Sequence, residues 1–475
     1  MKRKNLLIVG GIALAAAVAV LLYILIPLNA NCVVIRVGSQ EYARIPLSRP
    51  QTLTVEQENG AVNVIEVTAD GMRMVSSTCD NQICVHKGLV TLDNWELKGG
   101  AVITCLPNEV TLTLEDDPAL ADGAPQESAP ADSTAEPESS HPLHAPVDPP
   151  ADPTQAPQPT PVGTAKTSGY GLYFDTVVSL TLYGAPEGTM EEVHATCARY
   201  ENLLSKTIEG SDVWRINHAE GKTVTVDPET WEILRRAKEI SAATQGAFSI
   251  TIAPISAMWD FTDGTNRMPT EAERLAALPL VDDSRIELGE GCTVTLPEGM
   301  QIDLGGIAKG YIADQLAQML QGRTLCAIIS LGGNPSGVGE KPDGSYNTIG
   351  VQDPFDLVGG LEGVIFARNI SAVTSGTYER GFRGEDGLWY HHILDPKTGL
   401  PADSDLVSAT LMMTSSMSAD ALATACIVLG SERALAMLTD MGIDGLLITS
   451  DGQSLMTPGF RETYGYVTYE EFLAR

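Results

Sequence analysis

The stretch Ile302-Asp303-Leu304-Gly305-Gly306-Ile307-Ala308-Lys309-Gly310-Tyr311 decides how this chain folds. It begins as a strand end, turns tightly at its glycine pair, and continues with apolar residues at helical spacing. A strand that runs into a helix leaves free amide N–H groups at the helix start, where a phosphate can be received. Asp303 can accept from a base or a sugar there, and Lys309 can stand near phosphate. Read alone, the same stretch is also an ordinary strand-turn-helix junction.

Working outward, residues 167–475 mix helical and strand patterns without strict alternation, which predicts one large α+β domain. Apolar spacing predicts helices over 190–204, 229–243, 307–320, 418–429 and 432–441. Strands are predicted over 177–183, 325–330, 348–352 and 409–413. Upstream, residues 32–115 alternate apolar and polar residues in short runs between turns such as Glu58-Asn59-Gly60 and Lys98-Gly99-Gly100, the pattern of a small all-β domain. Residues 116–166 change abruptly to Pro, Ala, Ser, Thr, Asp and Glu; no core forms from that composition, and a semi-extended linker is expected.

The chain opens on Met1-Lys2-Arg3-Lys4, and the run 6–28 that follows carries no charge. Its length is enough for a single transmembrane helix, so residues 1–30 are expected to anchor the chain in the cell membrane, single-pass, with the catalytic domain extracytoplasmic. A cleaved signal peptide and a lipoprotein attached at Cys32 are the rival readings.

A formal charge of -31, with 30 basic residues against 61 acidic ones, excludes nucleic acid as a partner, since binding a polyanion relies on Lys and Arg. An anionic ligand needs local help from a divalent metal, a helix N-terminus or placed cations. The eight cysteines invite disulfides if the chain is exported. Cys197 and Cys426 lie in apolar helical stretches and read as small buried hydrophobes. Cys32, Cys79, Cys84 and Cys105 can supply one or two bridges, whose pairing the sequence does not tell.

Three further segments carry chemistry. Ser330-Leu331-Gly332-Gly333-Asn334-Pro335 is a strand entering a glycine turn where the backbone must approach something closely, and a plain hairpin or βα turn explains it equally well. The segment from Thr374 through Arg380, followed by Tyr390-His391-His392-Ile393-Leu394-Asp395, concentrates titratable groups. Neighbours on a strand face opposite ways, so only one of His391 and His392 can serve a given site, with Asp395 beside it to orient a proton-carrying imidazole; a buried histidine bonded to a carbonyl is the alternative. Asp420 and Thr424 stand four apart on an otherwise small and apolar helix and share a face, offering two hard oxygen ligands of the kind Mg2+ takes. A capping role for Ser418 or Asp420 is the equal alternative.

Together these segments resemble the ApbE family of FAD:protein FMN transferases. Phe174-Asp175-Thr176, Ser211-Asp212-Val213 with Ile216-Asn217, Gly246-Ala247-Phe248, Trp259, the Asp303 to Gly310 stretch, Thr374-Ser375-Gly376, His392 through Gly399, and Asp420 with Thr424 carry the likeness in order. The resemblance implies a Mg2+ ion held by the Gly306 carbonyl with Asp420 and Thr424, and FAD as substrate, contacted near Phe174, Ala247, Phe248, Ser249, Asp303, Lys309 and Thr374. It implies His392 as base, with Asp395 in the catalytic set. The expected reaction moves FMN from FAD to a Thr or Ser hydroxyl of an acceptor flavoprotein, releasing AMP. The acceptor implied is a subunit of a membrane electron-transfer complex of the Rnf or Nqr kind.

The sequence departs from the family at two points. Thr207 stands where many members carry a tyrosine, and Ser249 where many carry Asp. An FAD pyrophosphatase on the same scaffold, or a non-catalytic flavin-binding envelope protein, is the competing function. The region 32–115 resembles NusG domain II through Cys79 to Gly88 and Ile103 to Asn108. A metal site from Cys79, Cys84, His86 and Cys105 competes there with a disulfide or plain packing, because the spacing is not a standard zinc pattern.

Overall fold

The computed structural model describes residues 30–116 and 161–474, apart from 38–39, 58–59, 80–82, 87, 93–101, 106–107, 109, 260, 262–266 and 357–359. The chain divides into two compact units, within 1–126 and 127–475.

The N-terminal unit is all-β. Its described strands are β1 (Cys32–Val37), β2 (Gln40–Pro46), β3 (Gln51–Glu56), β4 (Val62–Val67), β5 (Gly71–Ser77), β6 (Val90–Thr91), β7 (Val102–Cys105) and β8 (Val110–Glu115). They form two antiparallel sheets in the orders β2-β1-β8-β7 and β3-β4-β5-β6. Val33, Ile35, Val55, Ile65, Ile103 and Leu112 are fully buried between them, as strand alternation requires. Asn63 shares that inward face on β4, and Asn108 meets it there, its Nδ2 donating to Asn63 Oδ1 at 2.8 Å.

The C-terminal unit is built on one sheet. Its strands are β9 (Lys166–Tyr173), β10 (Thr176–Tyr183), β11 (Cys326–Leu331), β12 (Asn334–Gly339), β13 (Ser371–Gly376), β14 (Leu406–Met413), β15 (Asp444–Thr449) and β16 (Ser454–Met456). Among the described residues these eight run in the order β16-β15-β14-β13-β12-β11-β10-β9, antiparallel throughout. Helices α1 (Thr189–Leu204), α2 (Pro228–Ala243), α3 (Ala308–Leu320), α4 (Ser416–Leu429) and α5 (Ser431–Met441) each begin within two residues of the expected position. The strands predicted from 177, 325 and 409 are β10, β11 and β14; that over 348–352 is found as Asn347–Gln352 in a separate small sheet.

Two hairpins turn side by side at one end of the main sheet. Between β9 and β10 the two-residue turn is Phe174-Asp175, both at positive φ (56° and 53°). Both turn residues of a type I′ hairpin need that left-handed backbone, which a phenylalanine resists. Between β11 and β12 the turn is Gly332-Gly333, again at positive φ. A side chain on Gly332 would meet Thr176 Oγ1 at 2.9 Å, so the position must stay bare for the two turns to touch.

Helices α3 and α4 pack backbone to backbone at Gly310, where an added Cβ would come within 2.3 Å of the Ser416 carbonyl. One turn further along α3, the buried Asp314 accepts from the amides of Ser416 (2.7 Å) and Met417 (3.0 Å) and from the Ser415 hydroxyl. The N-cap of α4 is Ser415, whose hydroxyl accepts from Ser418 N. Capping is therefore done by Ser415 and Asp314, which leaves Asp420 one turn inside the helix and outside that role.

The fold class expected from the sequence needs one correction. Mixed α/β with an all-β N-terminal region stands. The single transmembrane helix does not, because among the described residues no helix is long and apolar enough to cross a membrane. The stretch expected to form it, 1–30, lies outside the described residues except at Ala30. Most of the 116–166 linker also lies outside them. Among the described residues the eight cysteines form no disulfide.

Candidate functional site

The segment that leads into α3 is not the strand end read from the sequence, yet it is pinned before it reaches the glycine turn. Asn217 exchanges two hydrogen bonds with the Ile302 backbone, at 2.8 and 2.9 Å, and Asp303 N donates to the Ile250 carbonyl at 2.8 Å. Asp303 then closes the turn by accepting from Gly305 N at 2.8 Å, and its other oxygen meets Lys206 Nζ at 2.6 Å.

Lys309, on the first turn of α3, reaches back to the Gly305 carbonyl at 2.6 Å and lies 3.7 Å from Asp420 Oδ2. Asp420 is 5% exposed and accepts from Gly310 N at 3.1 Å. Thr424 follows one turn later, its hydroxyl 3.4 Å from Ser375 Oγ. An ideal Cβ on Gly306 would lie 3.8 Å from Thr424 Oγ1 and 3.4 Å from Phe248. Thus Gly306, Asp420, Thr424, Lys309 and Phe248 share one place. The donor set of a carbonyl, a carboxylate and a hydroxyl is hard oxygen throughout and fits a divalent cation of the Mg2+ kind.

Thr374 is held on β13 beside this place. Its amide donates to Asn334 Oδ1 at 2.9 Å and its hydroxyl pairs with Thr410 at 2.8 Å. Ala247 and Phe248 are buried behind a left-handed turn at Gln245-Gly246. Ser249 donates to Asp283 Oδ1 at 2.6 Å, and that carboxylate also takes the amides of Ile250 and Thr251. A carboxylate therefore stands beside position 249 although residue 249 is a serine. Phe174 N donates to Glu201 Oε1 at 2.8 Å, holding the hairpin tip to α1.

The ribbon formed by Gly381–Arg383 and Trp389–His391 carries His391, and His392 follows directly after it. Arg380 reaches the Asp175 carbonyl at 3.4 Å, so the ribbon lies by the β9–β10 turn. The strand ends at His391, and the two histidines have different partners. His391 faces the Ala402 carbonyl at 3.3 Å, while His392 Nδ1 faces the Arg380 carbonyl at 3.2 Å. A carbonyl only accepts, so Nδ1 of His392 carries the hydrogen and Nε2 keeps its lone pair. Burial first, then the positive charges of Arg380 and Lys309, push His392 down to about 3, which keeps the ring neutral at physiological pH. Asp395 accepts from the Lys397 amide at 2.9 Å and closes the turn through Gly399. That turn is tied to the rest of the unit by Trp259 Nε1, which donates to the Gly399 carbonyl.

Glu379, Asp314, Asp283 and Asn334 were given no role from the sequence. Crowding by the protein pushes the Glu379 carboxyl up to about 7, against the pull of Lys309 and Arg380 and with Asp420 adding to the rise. Those couplings put Glu379 in the same field as the oxygen cluster. Its adjacency to Arg380 in a segment rich in titratable groups was the available signal.

Hard oxygen donors, cationic side chains and a neutral imidazole gathered at one end of an antiparallel sheet define a mixed α/β scaffold suited to phosphate chemistry. The chain belongs to the ApbE family, whose model matches residues 174–447, and NusG domain II matches residues 7–118. A relative from Klebsiella pneumoniae named FAD:protein FMN transferase is 36% identical over 285 residues, which cover 59% of this chain and 88% of the relative. One of the same name from Treponema pallidum is 35% identical over 280 residues, covering 55% and 77%. The crystal structure of the ApbE protein from Thermotoga maritima superposes with a TM-score of 0.59 at 29% identity, over 63% of this chain and 99% of that one.

Proposed function

We propose that the C-terminal unit transfers FMN from FAD to a Thr or Ser hydroxyl of an acceptor flavoprotein with release of AMP, in a magnesium-dependent reaction. The observation that carries this reading is the convergence of Gly306, Asp420 and Thr424 beside Lys309, next to an imidazole kept neutral. Enzyme and class, an FAD:protein FMN transferase, follow from family membership.

In the reaction, the acceptor oxygen forms a new bond to the FMN phosphorus and the bridging bond of the pyrophosphate breaks. AMP leaves with the electron pair. His392 Nε2 is the lone pair free to take the hydroxyl proton, while its Nδ1–H stays on the Arg380 carbonyl and keeps the ring oriented. Lys309 and Arg380 offset the negative charge of the phosphates in an otherwise acidic chain. The Gly306 carbonyl, Asp420 and Thr424 would hold Mg2+, which when bound supplies charge neutralisation at the pyrophosphate. Phe174, presented on its left-handed turn, and the buried Ala247-Phe248 pair bound the space for the flavin and adenine.

The acceptor in this reading is a flavoprotein subunit of a membrane electron-transfer complex of the Rnf or Nqr kind, a choice supported by the family resemblance. An extracytoplasmic catalytic unit belongs to the same proposal, supported by the basic opening residues ahead of an uncharged run; protease accessibility in intact cells tests it.

Incubation with FAD, Mg2+ and acceptor tests the chemistry. The expected result is a mass gain of one FMN on the acceptor with stoichiometric AMP. Free FMN with an unmodified acceptor would make the protein a pyrophosphatase instead, and full cellular activity in Asp420→Ala would make it a non-catalytic flavin binder.

A further inference from the structure

Three cysteines, two of them five positions apart and the third on a later strand, meet inside the N-terminal unit. Cys79 follows β5, Cys84 lies in the short helical turn Ile83–His86, and Cys105 ends β7. Their sulfur atoms all lie within 4.8 Å of one another, and all three residues are buried. The Cys79 and Cys84 sulfurs are 3.6 Å apart. A disulfide would need about 2.05 Å. Ligands of a tetrahedral ion with bonds of about 2.3 Å stand about 3.8 Å apart, close to the 3.6 Å between Cys79 and Cys84 and inside the 4.8 Å that bounds all three sulfurs.

The surroundings of Cys105 point the same way. Ser77 Oγ accepts from Cys79 N at 3.1 Å, from Asn63 Nδ2 at 3.0 Å and from Asn108 Nδ2 at 3.1 Å. The Ser77 hydroxyl also lies 3.3 Å from Cys105 Sγ, within reach to donate to that sulfur when it is a thiolate. A thiolate only accepts, so ionisation of Cys105 on metal binding would fix the hydroxyl as the donor. Metal-bound thiolates take such outer hydrogen bonds. Asn63 and Asn108 are themselves buried in the core and hydrogen-bonded to each other, which offsets the cost of burying them and fixes the frame around the sulfurs.

We propose that Cys79, Cys84 and Cys105 bind one thiophilic divalent cation, Zn2+, as thiolates, with Ser77 as a positioning residue for Cys105. Three protein sulfurs on a four-coordinate ion leave one position for water or an added ligand. The site also gives a small β unit a cross-link between β5, the helical turn and β7, which a core of this size gains from. Binding displaces thiol protons, so affinity rises with pH. The proposal is independent of the transferase reading.

The test uses the full chain, kept reduced, stripped with a chelator and titrated with Co2+. The expected result is a sulfur-to-cobalt charge-transfer band saturating at one equivalent and abolished by added Zn2+. Cys84→Ser and Cys105→Ser should lose it, while Cys197→Ser and Asp420→Ala should keep it. Cobalt at the Gly306, Asp420 and Thr424 oxygens gives no such band. If the serine variants fail to fold, the wild type suffices, since Zn2+ should raise the melting temperature of the stripped chain in step with the titration. Absence of the band in the reduced wild type overturns the proposal. So does recovery of Cys79 and Cys84 as a disulfide in protein purified from cells.

Discussion

Both units bury polar groups, but they use them in opposite ways. In the N-terminal unit Asn63, Asn108 and Ser77 hydrogen-bond one another around a cysteine cluster within one small core. In the C-terminal unit Asp420 and Thr424 face a shared place with Gly306 and Lys309, assembled from segments more than a hundred positions apart. A closed polar network fixes a fold; hard oxygens gathered beside a cationic side chain serve a ligand. The contrast predicts that changes in the first region alter stability and changes in the second alter chemistry.

The strongest challenge to that division is Asp420→Ala. It should lower FMN transfer by about a thousandfold, the scale of losing a principal charge-stabilising group, with both units melting as before. An equal loss of stability would erase the distinction. Gly310→Ala should cross the line deliberately: its Cβ would collide with the Ser416 carbonyl, costing the C-terminal unit about 1–3 kcal/mol and transfer along with it, while the N-terminal unit melts unchanged. Calorimetry that resolves the two transitions checks this.

Asn63→Ala is the mirror test. It should destabilise the N-terminal unit by about 1–3 kcal/mol and leave the transfer rate intact. Titration sharpens the comparison next. His392, held at about 3 in the fold, is neutral where an unfolded histidine would be charged. Its contribution to stability is present above about pH 6.5 and is lost as pH falls through about 3. Asp314, raised by burial to about 7, runs the other way: its contribution is present below about pH 3.9 and is lost as pH rises through about 7. Asp314→Asn should therefore flatten the loss of stability between pH about 4 and 7. Over the same range kcat/KM should show no acid limb near the usual histidine value.

The smallest effect is expected at the hairpin tip. Phe174→Gly relieves a left-handed phenylalanine and should stabilise the C-terminal unit by about 1 kcal/mol. The KM for FAD should nonetheless rise. A variant that gains stability without losing affinity would show that the strained turn does nothing for the ligand.

Much of this was legible locally. Apolar spacing locates α1 to α5 within two residues of their starts because each helix buries one continuous face or, for α4, nearly its whole circumference. Asp420 and Thr424 stood out because they were polar residues one turn apart in an apolar helix. What escaped were partnerships across sequence distance. Asp314 binds the start of α4, 102 positions away, and Asn217 pins Ile302 from 85 positions away. Neither leaves a periodic trace. The start of α4 itself was placed late because Asp314 supplies part of its cap from another helix. Ser249 shows the same limit, since the carboxylate beside it comes from Asp283.

The Gly310 to Asp420 hydrogen bond joins residues 110 positions apart. A nascent polypeptide therefore carries α3 for a long interval before its counterpart on α4 exists. Truncation or clipping that removes residues 416–424 should leave fragments with no capacity to split FAD, however well their remaining strands hold together. Premature or damaged copies would then be silent, and the surrounding flavin pool would be exposed only to finished molecules.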